Sequence, residues 1–236
     1  MITWWPILLH NLGGYPLIVA WLVLGIVSVC LHELAHGYAA IRVGDRTPIH
    51  SGHMTWDPSV HMGFSGLIML IFIGLPSGFM PINPNAMRGR SAPAFVALAG
   101  PLMNLAIALL CIILAALINH FAAQSAPNSG AVSFAKIIDP SATPAERAAL
   151  FFIIGAWLNI ALAAFNLLPI PPLDGSRIVG TYSRKYEEFF ESDFGRLMAL
   201  GAFIIAWVFM SQFIWDYAIR ITLWLHDLTL TALKLI

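Results

Sequence analysis

Charge is what this chain most conspicuously lacks. Asp, Glu, Lys and Arg make up 10% of its 236 residues, where a soluble globular domain carries about 25%. Twelve acidic side chains balance twelve basic ones, and no basic stripe stands out, which argues against a nucleic-acid partner. Cysteine is scarce too. Cys30 and Cys111 each lie inside an apolar run, so neither a disulfide framework nor a thiolate metal site is expected, and small buried hydrophobes are the simpler reading. There is no internal repeat, and no polar stretch exceeds about 30 residues, below the size of a separate soluble domain. Residues 1–236 therefore read as one domain. The first twelve residues (MITWWPILLHNL) have no basic start, and no small-residue cleavage site follows, so no cleavable signal peptide is expected.

What fills the chain is apolar. Hydrophobic residues reach 59%, and the mean hydropathy is +0.80, the composition of an integral membrane protein. Five apolar segments stand out, at 16–43, 64–79, 93–121, 148–168 and 197–214. The second is short and interrupted by Gly74, Pro76 and Gly78. The tail, 216–236, mixes apolar and charged residues and is expected on the membrane surface rather than across it, with a crossing left open. Trp4 and Trp5 beside Pro6 suit an interfacial anchor, and 184–196 (RKYEEFFESDFGR) a solvated amphipathic piece. The expected fold is an all-α polytopic bundle of about four to six membrane segments, with a short re-entrant or non-spanning segment near 64–79.

The first long segment contains the pattern HELAH. His32, Glu33 and His36 occur at i, i+1 and i+4 in a run that otherwise carries no charge up to Ile41. Polar groups at membrane depth are expensive, so they require a reason. On a helix, residues i and i+4 share a face one turn apart, so both imidazoles reach one metal ion and Glu33 stays near a water on it. That is the H-E-x-x-H arrangement of zinc peptidases.

Two histidines do not complete a catalytic zinc site, which takes three protein ligands. The most conspicuous carboxylate elsewhere in the apolar body is Asp174, within FNLLPIPPLDG. The prolines there end the fourth segment and are expected to extend the backbone over 169–173, which is tolerated at membrane depth only beside protein or a water-filled cavity. Zinc with ionised Asp174 and Glu33 and two neutral imidazoles sums to zero charge, which lowers the cost of burial. His32–His36 and Asp174 both follow the C-terminal ends of their segments. They meet only if segments one and four run parallel, which requires 64–79 to dip in and return. The cations agree. With that segment re-entrant, Arg42, Arg46, Arg88, Arg90, Arg177, Arg184, Lys185 and Arg196 fall on one side and Lys136 and Arg147 on the other, with Arg220 and Lys234 in the tail left unassigned. The positive-inside rule prefers this lopsided arrangement to an even split and puts the catalytic end toward the cytoplasm.

These residues resemble the site-2 protease family of intramembrane zinc metalloproteases. HELAHG in a membrane helix, AGPLMN at 99–104 and FNLLPIPPLDG at 165–175 occur in the family's order. The resemblance implies one zinc ion per chain held by His32, His36 and Asp174, with Glu33 as general base. It matches Asn166 to an asparagine that positions substrate, and Asn104 to that of the glycine-proline motif. The implied activity is cleavage of membrane-anchored substrates in or near their transmembrane segment, in the cell membrane. The chain is similar to the minimal subgroup, having room for neither a PDZ nor a CBS domain, and its loop at 78–87 differs from the subgroup's usual tryptophan- and lysine-bearing form. An unwound substrate would pair by β-augmentation with backbone near 169–173, and Asn166 or Asn104 would offer donors to the developing oxyanion.

Other polar residues suit plainer roles. His50, His53 and His61, with Asp57, cluster after the first segment; solvation or structural hydrogen bonding is the simpler reading and a second metal site or water gate the alternative. His10, His120 and His226 sit near expected interfaces. A metal transporter would also bury His and Asp, but alternating access usually rests on repeats, and a transporter has no need of Glu33. A catalytically dead scaffold is disfavoured by the complete set of expected catalytic residues.

Overall fold

The computed structural model describes residues 5–74, 76–125 and 142–235, all of them helix, turn or irregular chain without a strand ladder. Trp4 and Lys136 lie outside these residues, and the side chains of Trp5, Pro6 and His10 are likewise not described. Helix α1 (Trp5–Arg42) breaks at Gly14 (φ 65°), so the membrane-length piece is Gly14–Arg42. A short α2 (Thr47–His50) and α3 (Pro58–Ile68) follow, the latter running on through a wide π turn, Met69–Ile73. Then come α4 (Ala92–Ser125), α5 (Pro144–Asn166), α6 (Asp174–Tyr182), α7 (Arg184–Glu191), α8 (Asp193–Ile205) and α9 (Ser211–Leu233).

Among the described residues, three helices are long and apolar enough to cross a membrane, Gly14–Arg42, Ala92–Ala122 and Pro144–Asn166, and the bent pair α8–α9 makes a fourth if it is one span. The three correspond to the first, third and fourth apolar segments. α5 begins four residues before the apolar run because Thr143 and Glu146 close a capping box around Pro144. Contacts between the three give their directions. Along α1, Leu24, Ser28 and His32 meet Gly155, Asn159 and Asp174 in rising order, so α1 and α5 are parallel. His36 meets Val96 and His32 meets Asn104, so α4 runs against both. Close approach rests on small residues. Ala108, Cys111, Ala156 and Ala161 are buried between α4 and α5, and Gly155 packs on Leu24 and Cys111, the packing of helices in lipid. Both cysteines are free and buried.

The interrupted second segment is a hairpin of helix and extended chain. Pro58–Phe72 is too short to span. At its tip Gly74 turns left-handed (φ 78°), and its carbonyl accepts from Trp21 Nε1 at 2.9 Å, deep along α1. Residues 76–83 then climb back along α1: Pro76 lies against Gly25, Gly78 against Val29 and Glu33, and Met80 against Gly37. Those α1 positions recur every four residues on one face, while alternate residues of an extended chain face the same way. Phe79 N–H donates to the His61 carbonyl at 2.8 Å, tying the two arms together. The Asn83 amide then donates to Asp45, and that of Arg88 to the Val43 carbonyl, at the end of α1. The segment enters and leaves at one end of the bundle, and α1 and α5 are parallel for that reason.

Two expectations need correcting. The fifth segment does not stop at residue 214. α8 and α9 are joined by a π turn (Ala206–Met210) and bent by 51°, and α9 continues to Leu233. The tail, expected on the membrane surface, packs one face against the bundle. Ala218, Thr222 and His226, four residues apart, are buried. Ala218 packs among Ala108, Ile112 and Ala156, and Trp157 Nε1 donates to the Trp215 carbonyl. Asp216, Arg220, Asp227 and Lys234 occupy the exposed faces, so mixed composition here marks a helix with one packed face.

Candidate metal centre

His32 and His36 project from α1 toward Asp174, the first residue of α6. Three prolines before it end α5, and Leu173, extended at the helix start, swings the carboxylate back over α1. An acid in the first helical turn is also favoured by the helix dipole. All three side chains are buried. His32 Nε2 and His36 Nε2 are 3.0 Å apart, and Asp174 Oδ2 lies 3.2 and 3.3 Å from them. Among the described residues, these three form the only group of three or more His, Cys, Asp or Glu able to share one ion.

The far side of each imidazole is held. His36 Nδ1 lies 2.7 Å from the Val96 carbonyl. A carbonyl only accepts, so Nδ1 carries a proton, and Nε2 is the atom that faces Asp174. His32 Nδ1 is 2.6 Å from Asn104 Oδ1. Asp174 Oδ2 has no hydrogen-bond partner. Both Nε2 atoms and Asp174 Oδ2 therefore face one point, an arrangement a cation can bridge. Size fits as well: a tetrahedron with bonds of about 2.0–2.1 Å has edges of about 3.3–3.4 Å. A methyl group on Gly100 would collide with both Nε2 atoms, so glycine leaves that point open. The residues fit zinc, whose common ligands are nitrogen, sulfur and carboxylate oxygen.

Around the three side chains lies a cavity of about 610 Å³. Its walls are the 76–82 chain, the stretch from Asn166 to Leu173, and the α7–α8 face carrying Phe190, Arg196 and Phe203. Glu33 is buried in the same cavity, with the Gly78 backbone passing beside its side chain. Asn166, the last residue of α5, lines the cavity. Asn104 lies behind His32, fully buried, with Nδ2 donating to Asn159 Oδ1 at 2.8 Å. Extended backbone was expected over 169–173, but that stretch is a run of turns whose Ile170 and Leu173 amides bond internally. The wall that runs along α1 is the 76–82 chain instead, while proline, fixing φ but not ψ, lets 169–173 close into turns before α6.

The loop histidines do not converge. His53 Nδ1 bonds the Ser51 carbonyl and its ring packs edge-on to Phe79, while His61 is buried with Nε2 donating to the Thr55 carbonyl. His120 packs edge-on to Phe121. His226 is buried between Asn119 and Asp227. Two polar residues escaped the motif reading: Asn159, fully buried, and Ser28, hydrogen-bonded to it. Their signal was position. Ser28 precedes His32 by one turn, Asn159 precedes Asn166 by two, and an amide inside an apolar helix needs partners.

A membrane bundle holding a two-histidine, one-carboxylate pocket beside a buried glutamate is the build of a membrane metalloprotease. The model of peptidase family M50 matches residues 20–209, and the chain belongs to that family, the site-2 protease family of zinc metalloproteases. It is 34% identical over 169 residues to the protein named "Putative zinc metalloprotease YwhC" of Bacillus subtilis, covering 70% of each chain. It is 32% identical over 171 residues to "Putative zinc metalloprotease Rip2" of Mycobacterium tuberculosis, covering 69% of this chain and 56% of that one. No solved structure matches.

Proposed function

We propose that this zinc metalloprotease is an intramembrane endopeptidase that cuts membrane-anchored proteins in or near their transmembrane segment, using one zinc ion per chain held by His32, His36 and Asp174. The observation that carries this reading is the convergence of those three donors at 3.0–3.3 Å inside a cavity flanked by membrane-length helices. Zinc held there supplies a Lewis acid for the scissile carbonyl and a water acidic enough to ionise near neutral pH. Glu33 accepts the proton of the attacking water and returns it to the leaving amine. Asn166, at the cavity wall, offers its amide N–H to the substrate carbonyl oxygen, a contribution of about 10²–10³ in rate where such donors have been removed. Asn104 acts from behind His32. A substrate helix must unwind to expose its carbonyls, and the extended 76–83 chain offers a neighbour along which an unwound segment can lie.

The reading places the protein in the cell membrane with the catalytic end toward the cytoplasm. Support comes from the returning hairpin, with which eight of the twelve Arg and Lys residues gather at that end, while Arg147 starts α5 at the other. Single cysteines at Ser51 and Arg88 are expected to label from the cytoplasmic side alone; opposite sidedness of the two refutes the orientation. The activity is tested with the purified protein and its Glu33→Gln form. Both are expected to hold about one zinc, and only the parent to cleave a tethered single-pass substrate. Metal in both with no cleavage by either, across varied substrates, overturns the protease reading.

A further inference from the structure

Behind the zinc ligands, four polar side chains form one chain through the apolar core: Ser28, Asn159, Asn104 and His32. Asn159 Nδ2 lies 2.8 Å from Ser28 Oγ and 2.8 Å from the Gly155 carbonyl. Asn159 Oδ1 lies 2.8 Å from Asn104 Nδ2, and Asn104 Oδ1 2.6 Å from His32 Nδ1. Asn104 and Asn159 are fully buried and Ser28 nearly so, so no solvent can exchange these bonds.

The direction of the whole chain follows from one group. An amide can be turned over, exchanging donor and acceptor, but the Gly155 carbonyl can only accept. Asn159 must therefore present its NH₂ to Gly155 and its oxygen to Asn104. Asn104 must answer with its NH₂, which turns its own oxygen to His32. His32 must then carry its proton on Nδ1, leaving the Nε2 lone pair facing His36 and Asp174. Reversing any amide puts two acceptors or two donors face to face in the membrane core, at the cost of buried unsatisfied groups.

We infer that Asn159 is a positioning residue for the metal centre: through Asn104 it sets the tautomer and ring orientation of His32, using the α5 backbone carbonyl of Gly155 as its reference. The inference rests on zinc being held by His32. It gives α5 a part in the site distinct from delivering Asn166 and Asp174, and Ser28 the lesser part of bracing Asn159. His36 needs no such relay, since Val96 supplies a backbone carbonyl directly.

The test measures zinc affinity by chelator competition and the visible spectrum of the cobalt-substituted protein, for the parent and for Asn159→Leu, Asn104→Leu, the double variant and Ile153→Ala. Loss of such supporting partners typically weakens metal binding 10–100-fold. Asn159→Leu is expected to raise the zinc Kd about 10-fold or more and to shift the cobalt bands. The double variant should bind no more weakly than Asn104→Leu alone, because both changes cut one relay. Ile153→Ala opens the same α5 core without touching the chain, and should lower thermal stability while leaving Kd and spectrum at the parent's values. A zinc Kd for Asn159→Leu within two-fold of the parent sinks the inference, as do multiplicative losses in the double variant or an equal loss in Ile153→Ala. A parent that binds no zinc defeats the metal reading beneath it, a result distinct from all of these.

Discussion

The two ends of α4 each bury a histidine against an asparagine, and only one of them belongs to a group that could hold a metal ion. Near its start, Asn104 receives His32 Nδ1, and Nε2 is left to point at Asp174. Near its end, Asn119 Nδ2 donates to His226 Nε2 at 3.0 Å, while His226 Nδ1 reaches Asp227 at 3.3 Å. Both rings are almost fully buried and both have a carboxylate in reach. The difference lies in what remains after the protein's own bonds are counted. At His226 both nitrogens are satisfied and the carboxylate is exposed. At His32 one nitrogen and one carboxylate oxygen are left over, and a second imidazole repeats the pattern. Burial of a histidine in a membrane bundle is therefore no sign of metal binding, and neither is one unpartnered nitrogen, since His61 Nδ1 is buried without a partner too; several donors left over around one point are the sign.

The largest effect that can break this contrast is metal occupancy. Asp174→Ala removes one of three ligands, and dialysed protein should fall from about one zinc per chain to near none. His226→Leu should keep the parent's zinc content by elemental analysis. Zinc lost in His226→Leu, or retained in full by Asp174→Ala, erases the distinction between the two ends. Stability should move the other way. His226→Leu strands the Asn119 amide in the core and is expected to cost about 1–3 kcal/mol, read as a lower midpoint of thermal unfolding in detergent.

The smallest effect concerns a third buried polar group, Asp45, beyond the end of α1 and away from both histidines. Burial raises its pKa, but bonds from Thr47 and from the Asn83 amide outweigh that and hold the carboxyl below its ordinary value. A depressed folded-state pKa stabilises above the unfolded value, near 3.9, and that stability is lost as pH falls through the folded value. The parent should therefore lose more stability than Asp45→Asn on acidification below about pH 4. Parallel losses in the two proteins would show that the hairpin is not tied down through this carboxylate.

Much of the fold was legible because apolar length is a local property. The segments at 16–43, 93–121 and 148–168 correspond to the three membrane-length helices, and the Gly/Pro-broken run at 64–79 to the non-spanning hairpin. The tail was harder to read. Charges on 216–236 lowered its apparent hydrophobicity, and only the stripe Ala218–Thr222–His226, visible at four-residue spacing, betrayed a packed face. The turns at 167–173 were unreadable for a different reason. Proline restricts φ but leaves ψ open, so the same residues suit an extended chain or a compact run until α6 is placed.

For the metal centre, sequence alone determined that His32 and His36 share a helix face with Glu33 beside them, because 3.6 residues per turn is a property of any α-helix. It also singled out Asp174, since an acid after a proline-broken membrane helix has few other reasons to exist. Which nitrogen of each ring faces inward was decided only by tertiary structure. Lone-pair direction depends on acceptors that arrive from distant positions, Val96, Asn104 and, through Asn159, the carbonyl of Gly155. Hydrogen-bond polarity is a relation between segments, and no pattern within one helix encodes it.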